Sequence, residues 1–179
     1  MGIRLALIAA GAVVFLAFVW GVKGHFRSSR LPGWATLIAV LSILSFAAFV
    51  AGVLQAEPSP RIPVALVLQA LSLALFASAV RATRATRLTY VGDDDTPTFL
   101  ISHGPYRWVR HPFYTSYILF WGACAIMTNS ILSYAGFIVM TIAYVVSATS
   151  EERKFAGSDL ADEYGRDRQK TGLFWPKII

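Results

Sequence analysis

The residues best suited to chemistry stand together in Tyr106-Arg107-Trp108-Val109-Arg110-His111-Pro112-Phe113-Tyr114. Two arginines, a histidine and several large aromatics fall within nine positions, just ahead of a long apolar run. Arginine and aromatics favour a membrane headgroup layer, and a simple interfacial belt would account for that composition. It would not account for His111 held between Arg110 and Pro112. Pro112 suits the first turn of a helix, where its missing N–H costs nothing. That helix would open with free N–H groups and its positive dipole end, a place that attracts carboxylate or phosphate, and Arg110 could add a bidentate contact.

A second cluster, Glu151-Glu152, follows the last apolar run. Two carboxylates at a helix C-terminus are unfavourable against the dipole, so a plain solvated helix end accounts for them less well than usual. Between the two clusters lie two apolar runs, about Phe113 to Thr128 and about Ile131 to Thr149, separated only by Asn129-Ser130. So short a break predicts a helical hairpin that brings Arg110 and His111 beside Glu151 and Glu152. Such a site offers anion-binding groups, carboxylates and aromatic faces. It would suit a ligand with a carboxylate, an ammonium, a ribose and a flat base.

The elements that position this site are membrane helices. The chain has 179 residues, 56% apolar and 15% charged, against about a quarter charged in soluble domains. Three further apolar runs precede the hairpin, about Leu5–Val22, Trp34–Leu54 and Ile62–Val80. Each is near the roughly 20 residues a helix needs to cross the hydrocarbon core. Continuous rather than alternating apolarity excludes barrel strands. The fold class is therefore all-α: a polytopic membrane protein of about five transmembrane helices. Its cofactor site would be formed by the helix 3–4 loop, the helix 4–5 hairpin and the C-terminal tail. We read residues 1–179 as one membrane domain, with three N-terminal helices in 1–81 and a cofactor-binding core in 82–179. The first run is read as a retained helix, because Gly21-Val22-Lys23-Gly24-His25 has no small-x-small cleavage pattern.

The net charge of +6 follows from topology. Lys23, Arg27 and Arg30, then Arg81, Arg84, Arg87, Arg107 and Arg110, then Arg153, Lys154, Arg166, Arg168, Lys170 and Lys177 all fall on one side of the spans; only Arg4 and Arg61 fall on the other. The positive-inside rule makes the first side cytoplasmic, with the N-terminus outside, in an inner or plasma membrane. No nucleic-acid-binding module is present. Asp93-Asp94-Asp95 between Gly92 and Pro97 reads as a solvated turn rather than a cation site. His25 and His103 read as structural, and the lone Cys124 as a packing residue. No metal site is expected.

The ordered set Leu100-Ile101-Ser102-His103-Gly104-Pro105-Tyr106-Arg107-Trp108-Val109-Arg110-His111-Pro112-Phe113-Tyr114, a membrane hairpin, Glu151-Glu152, Tyr164 and Pro176 resembles the isoprenylcysteine carboxyl methyltransferase and phospholipid methyltransferase superfamily. The resemblance covers residues 98–179. It implies S-adenosyl-L-methionine as cofactor and a lipophilic acceptor drawn from the bilayer. By that resemblance Thr98, Phe99, Leu100 and Ile101 line the cofactor and Tyr106 sits against it. His111, Pro112, Phe113 and Tyr114 hold its amino-acid and nucleoside parts, Glu152 accepts its hydrogen bonds, and Glu151 stands beside. Arg110 joins the cofactor-binding set as the anion contact.

The catalytic candidates are Tyr114, facing the methyl group, with His111 and Glu152. O-methylation is the favoured chemistry, with phospholipid N-methylation or thiol S-methylation as alternatives. The isoprenylcysteine enzymes carry an arginine four residues before the cofactor glutamate. Here Ser147 and Ala148 occupy the positions four before Glu151 and Glu152, and neither can hold a carboxylate. Two other classes compete. A sterol-reductase-like enzyme using NADPH shares an R-H-P-x-Y segment, but this chain has no dinucleotide glycine fingerprint. A non-enzymatic lipid-binding subunit would bind no cofactor. The sequence is silent on oligomeric state.

Overall fold

The computed structural model describes residues 1–27, 33–55, 59–84, 88–89 and 99–177. Arg87, Asp93-Asp94-Asp95 and Thr98 lie outside the described residues. Six α-helices are present among the described residues: α1 Gly2–His25, α2 Gly33–Gln55, α3 Ile62–Ala82, α4 Pro112–Thr128, α5 Ile131–Ala156 and α6 Ala161–Lys170. A 3-10 turn spans Gly104–Arg107, and one short parallel backbone pairing joins β1 Phe26–Arg27 to β2 Leu88–Thr89.

The membrane reading holds for α1, α2, α3 and α5, each long and apolar enough to cross a bilayer. Within their most apolar windows only 22%, 22%, 28% and 33% of residues are buried inside the protein. Water would penalise that outward apolar surface at about 25 cal/mol per Å²; lipid would not. The remaining helix, α4, has 17 residues and so reaches roughly 25 Å, at the short end of what spans. It is also the most enclosed. Phe113, Tyr114, Tyr117, Ile118, Phe120, Trp121, Cys124 and Met127 are all buried on it, with α3 and α5 on its flanks.

Local rules explain where α4 begins and ends. His111 has φ −123° and ψ 64°, outside the helical region as the residue before a proline prefers. At the far end Asn129 turns into the left-handed region (φ 50°) and its N–H closes on the Ala125 carbonyl, a cap asparagine tolerates. Ser130 is extended, and α5 starts at Ile131. Arg61, just before α3, donates through Nη1 to Asn129 Oδ1 (2.7 Å) and ties the α2–α3 connection to this turn.

Inside the bundle, several polar side chains pair between helices, as a dry environment favours. Ser72 Oγ on α3 donates to the Ser116 carbonyl on α4 (2.7 Å). Trp121 Nε1 on α4 donates to the Tyr144 hydroxyl on α5 (3.2 Å). Trp34 Nε1 on α2 donates to Ser147 Oγ on α5 (2.9 Å). Small residues let helices close up: a Cβ on Gly52 would lie 2.9 Å from Thr128 Cβ, and one on Gly136 3.0 Å from Ser45 Oγ. At the N-terminal helix, Phe18 packs on Phe76, Tyr117 and Phe120, so α1 is built into the aromatic core.

Two features were not expected from the apolar runs. The fifth helix continues past Thr149 to Ala156, so Glu151 and Glu152 are helical rather than beyond the helix. A short polar helix, α6, then folds back, with Tyr164 buried and its ring stacked on Phe155 of α5 (4.9 Å).

Candidate active site

The helical hairpin does what its short turn predicts. The residue pair at the start of α4 meets the carboxylate pair near the end of α5. Arg110 Nε donates to Glu152 Oε1 at 2.7 Å, and the two side chains are only 8% and 12% exposed. Arg110 Nη1 donates to the Thr171 carbonyl. Two of the guanidinium's donors are thus used within the chain, where they fix the Glu152 carboxylate and the Thr171 carbonyl.

His111 lies between the two glutamates. Its Nδ1 is 3.4 Å from Glu151 Oε2, and its Nε2 is 3.8 Å from Glu152 Oε1, a charge contact too long for a hydrogen bond. Burial works against charging the imidazole, but the two carboxylates outweigh it and His111 is held above its ordinary value of 6.5. The imidazolium form is favoured accordingly. Its ring stacks on Tyr114 (5.6 Å). Tyr114 in turn donates through its hydroxyl to Glu151 Oε1 (2.6 Å) and stacks on Tyr144 (5.5 Å).

Tyr106, in the 3-10 turn, is half-buried; burial and then the charge of Glu151 raise its hydroxyl well above the usual range. The turn is entered through Gly104 at φ +61°, which a side chain would resist. Pro112 and Phe113 are buried, Phe113 edge-on to Phe76. Phe99 is at the exposed margin (36%), with Leu100 and Ile101 half-buried, in the chain leading to the turn. The described structure therefore draws Tyr106, Arg110, His111, Tyr114, Glu151 and Glu152 into one cluster. It leaves Phe99–Ile101 on the approach and does not describe Thr98.

The C-terminal tail, expected at the site, enters it as a strap whose individual contacts the sequence did not specify. Residues 171–174 run beside the segment leading into α4. Gly172 N–H donates to the Trp108 carbonyl (3.1 Å), Arg110 N–H to the Gly172 carbonyl (2.9 Å) and His111 N–H to the Leu173 carbonyl (3.2 Å). Thr115 Oγ1 adds a bond to the Phe174 carbonyl (3.0 Å). A Cβ at Gly172 would run into the Trp175 carbonyl. Tyr164, singled out only as part of a motif, also belongs here. Burial and then Glu152 raise its hydroxyl above its usual range.

Two buried polar atoms in the cluster, His111 Nε2 and the Tyr164 hydroxyl, have no hydrogen-bond partner among the described residues. Glu151 is a third exposed (33%). A ligand reaching this pocket would find unused donors, a reachable carboxylate and aromatic faces. The phospholipid methyltransferase family model matches residues 60–162, more than half of the chain. The chain belongs to that family. The match takes in α3, the 3-10 turn, α4 and α5, and so contains Tyr106, Arg110, His111, Tyr114, Glu151 and Glu152. It reaches further toward the N-terminus than the motif resemblance over 98–179, and it stops ahead of the strap. No curated protein sequence matches the chain.

Proposed function

We propose that this protein is an S-adenosyl-L-methionine-dependent methyltransferase of the membrane that acts on an amphiphilic acceptor. The observation that carries the reading is the closure of Arg110, His111 and Tyr114 onto Glu151 and Glu152. Family membership supports methyl transfer over the sterol-reductase-like and non-enzymatic readings. The donor set also fits the cofactor. Carboxylates answer an ammonium and a ribose, unpartnered donors at His111 and Tyr164 answer a carboxylate, and tyrosine faces answer a base and a sulfonium. When bound, S-adenosyl-L-methionine supplies an electrophilic methyl group for in-line displacement.

The protein's share is positioning and electrostatics. Tyr106, Arg110, His111, Pro112, Phe113, Tyr114, Glu151 and Glu152 form the cofactor pocket, with Thr98, Phe99, Leu100 and Ile101 lining its approach. Tyr114 faces the reacting methyl, held there by Glu151 and by its stacking on Tyr144. The two carboxylates beside His111 favour its protonated form, which suits binding better than proton abstraction. Glu151, the more exposed glutamate, is then the group placed to take a proton from a hydroxyl or ammonium acceptor.

Oxygen is the favoured acceptor atom, in a hydroxyl rather than a prenylcysteine carboxylate. Ser147 and Ala148 are fully buried, and the Ser147 hydroxyl is engaged with Trp34 and the Ala143 carbonyl. That stretch of α5 therefore presents no cation to a carboxylate. The basic residues put the site on the cytoplasmic side, with the N-terminus outside.

Incubating the purified protein with methyl-labelled S-adenosyl-L-methionine and a membrane lipid extract tests the reading. A labelled lipid-soluble product whose label sits on oxygen is expected. Label on nitrogen or sulfur would replace the acceptor, and no transfer to any fraction would refute the proposal. Thermal protection by NADPH in place of S-adenosyl-L-methionine would favour the reductase.

A further inference from the structure

The strap that follows α6 lies outside the family match, yet it bonds directly to the residues of the site. Arg110 cannot be aimed at Glu152 by that ion pair alone, because a guanidinium on a long stem can meet a carboxylate from several directions. Here three strap groups fix the direction. The Thr171 carbonyl takes Nη1, leaving Nε for Glu152. The Gly172 carbonyl takes the Arg110 backbone N–H. The Leu173 carbonyl takes the next N–H, that of His111.

The strap is itself anchored at both ends. Thr171 caps α6, its hydroxyl donating to the Asp167 carbonyl (2.8 Å) with Asp167 Oδ2 at 3.2 Å, and the residue is 2% exposed. Phe174 is buried, its carbonyl bound by Thr115 and its ring edge-on to His111 (6.2 Å). Between the anchors, Gly172 lets the chain fold back under Trp175, where no side chain would fit.

We propose that Thr171 and Gly172 are positioning residues of the active site, setting through the strap the orientation of Arg110 and His111 toward Glu152 and Glu151. The proposal rests on the methyltransferase reading only for its catalytic consequence. The orientation itself can be read without any ligand. Only three histidines occur in the chain, so isotope-labelled histidine gives a short, assignable spectrum, with the His111 signal identified by its loss in His111→Gln.

The test titrates His111 by NMR in the full-length protein and in Gly172→Ala, Thr171→Val and Thr171→Ser. The groups facing the ring are Glu151, Glu152 and Tyr114, with Arg110, Tyr164 and Arg168 (Nε at 4.0 Å) acting on Glu152. If the strap holds Arg110 on Glu152, loosening it leaves His111 as the nearest cation to that carboxylate. Its titration midpoint should then rise by about half a pH unit or more in Gly172→Ala. It should rise less in Thr171→Val and return to the parent value in Thr171→Ser.

Affinity for S-adenosyl-L-methionine should fall roughly tenfold or more in Gly172→Ala. Should Gly172→Ala fail to fold, Thr171→Val, which keeps the side-chain shape, carries the same test. Midpoints that coincide in the parent and in every folded variant would overturn the proposal. Absence of cofactor binding by the parent would instead overturn the proposed function, with the titration result still standing on its own.

Discussion

Arg110 and Glu152 are 42 positions apart in the chain and meet at 2.7 Å with both side chains almost wholly buried. A buried pair of this kind is weak evidence for stability, since desolvation offsets much of the attraction. Breaking it is a different matter, because the survivor is left charged in a dry place. Glu152→Ala should therefore lower unfolding stability by about 3 kcal/mol, read as a fall in the midpoint of thermal melts in detergent. An unchanged midpoint would mean that Arg110 finds another anion.

The state of His111 makes stability depend on pH. The two glutamates raise its pKa above 6.5 in the folded chain, against the opposing effect of burial. A group raised on folding contributes stability in full below its unfolded value and loses it as pH climbs through the folded value. Thermal midpoints should fall as pH rises from about 6.5, and His111→Gln should flatten that slope. Equal slopes in the two proteins would place the titrating group elsewhere.

Tyr114 makes two kinds of contact that a single atom separates. Tyr114→Phe keeps the ring stacked between His111 and Tyr144 and removes only the 2.6 Å bond to Glu151. A hydrogen bond to a charged group contributes about 2 kcal/mol. Methyl transfer should slow by a factor of ten or so per 1.4 kcal/mol of that loss felt in the transition state. Binding of S-adenosyl-L-methionine should change little. A loss confined to binding would assign Glu151, through Tyr114, to holding the cofactor alone.

Close helix packing can be probed away from the site. Gly52→Ala puts a methyl 2.9 Å from Thr128 Cβ and 3.3 Å from Ser130 Cβ, an overpacking expected to cost about 2 kcal/mol. Gly165→Ala on the exposed face of α6 meets nothing within 4 Å and should stabilise by up to about 1 kcal/mol. Equal effects in melts would contradict the packing of α2 against the α4–α5 turn.

The sequence announced the membrane helices because apolarity over some 20 residues has one economical outcome in lipid. Ile62 and Ile131 open α3 and α5 where the apolar runs open, and Asn129-Ser130 breaks the hairpin as expected. The meeting of Arg110 and His111 with Glu151 and Glu152 followed from that break, though not which residue pairs with which. Helix ends were less legible. The α5 backbone continues through Glu151 to Ala156, since hydrogen bonding does not stop where apolarity stops. Helix α6 buries essentially one side chain, Tyr164, and so leaves no apolar period to read.

The tail was expected at the site, but its contacts there were not legible for another reason. It bonds through backbone groups of Trp108, Arg110 and His111 to residues about 60 positions away, and backbone groups carry no residue-type signature. Arg110 illustrates the consequence. Read from the sequence as an anion contact, it also gives two of its five donors to Glu152 and the Thr171 carbonyl.

The central claim is that the Arg110–His111–Tyr114 and Glu151–Glu152 cluster binds the methyl donor. Isothermal calorimetry of the full-length protein in lipid nanodiscs, titrated with S-adenosyl-L-methionine, measures it directly. Saturable binding by the parent and none by Glu152→Ala is the expected result. Unchanged affinity in Glu152→Ala, with the variant folded, would contradict the account.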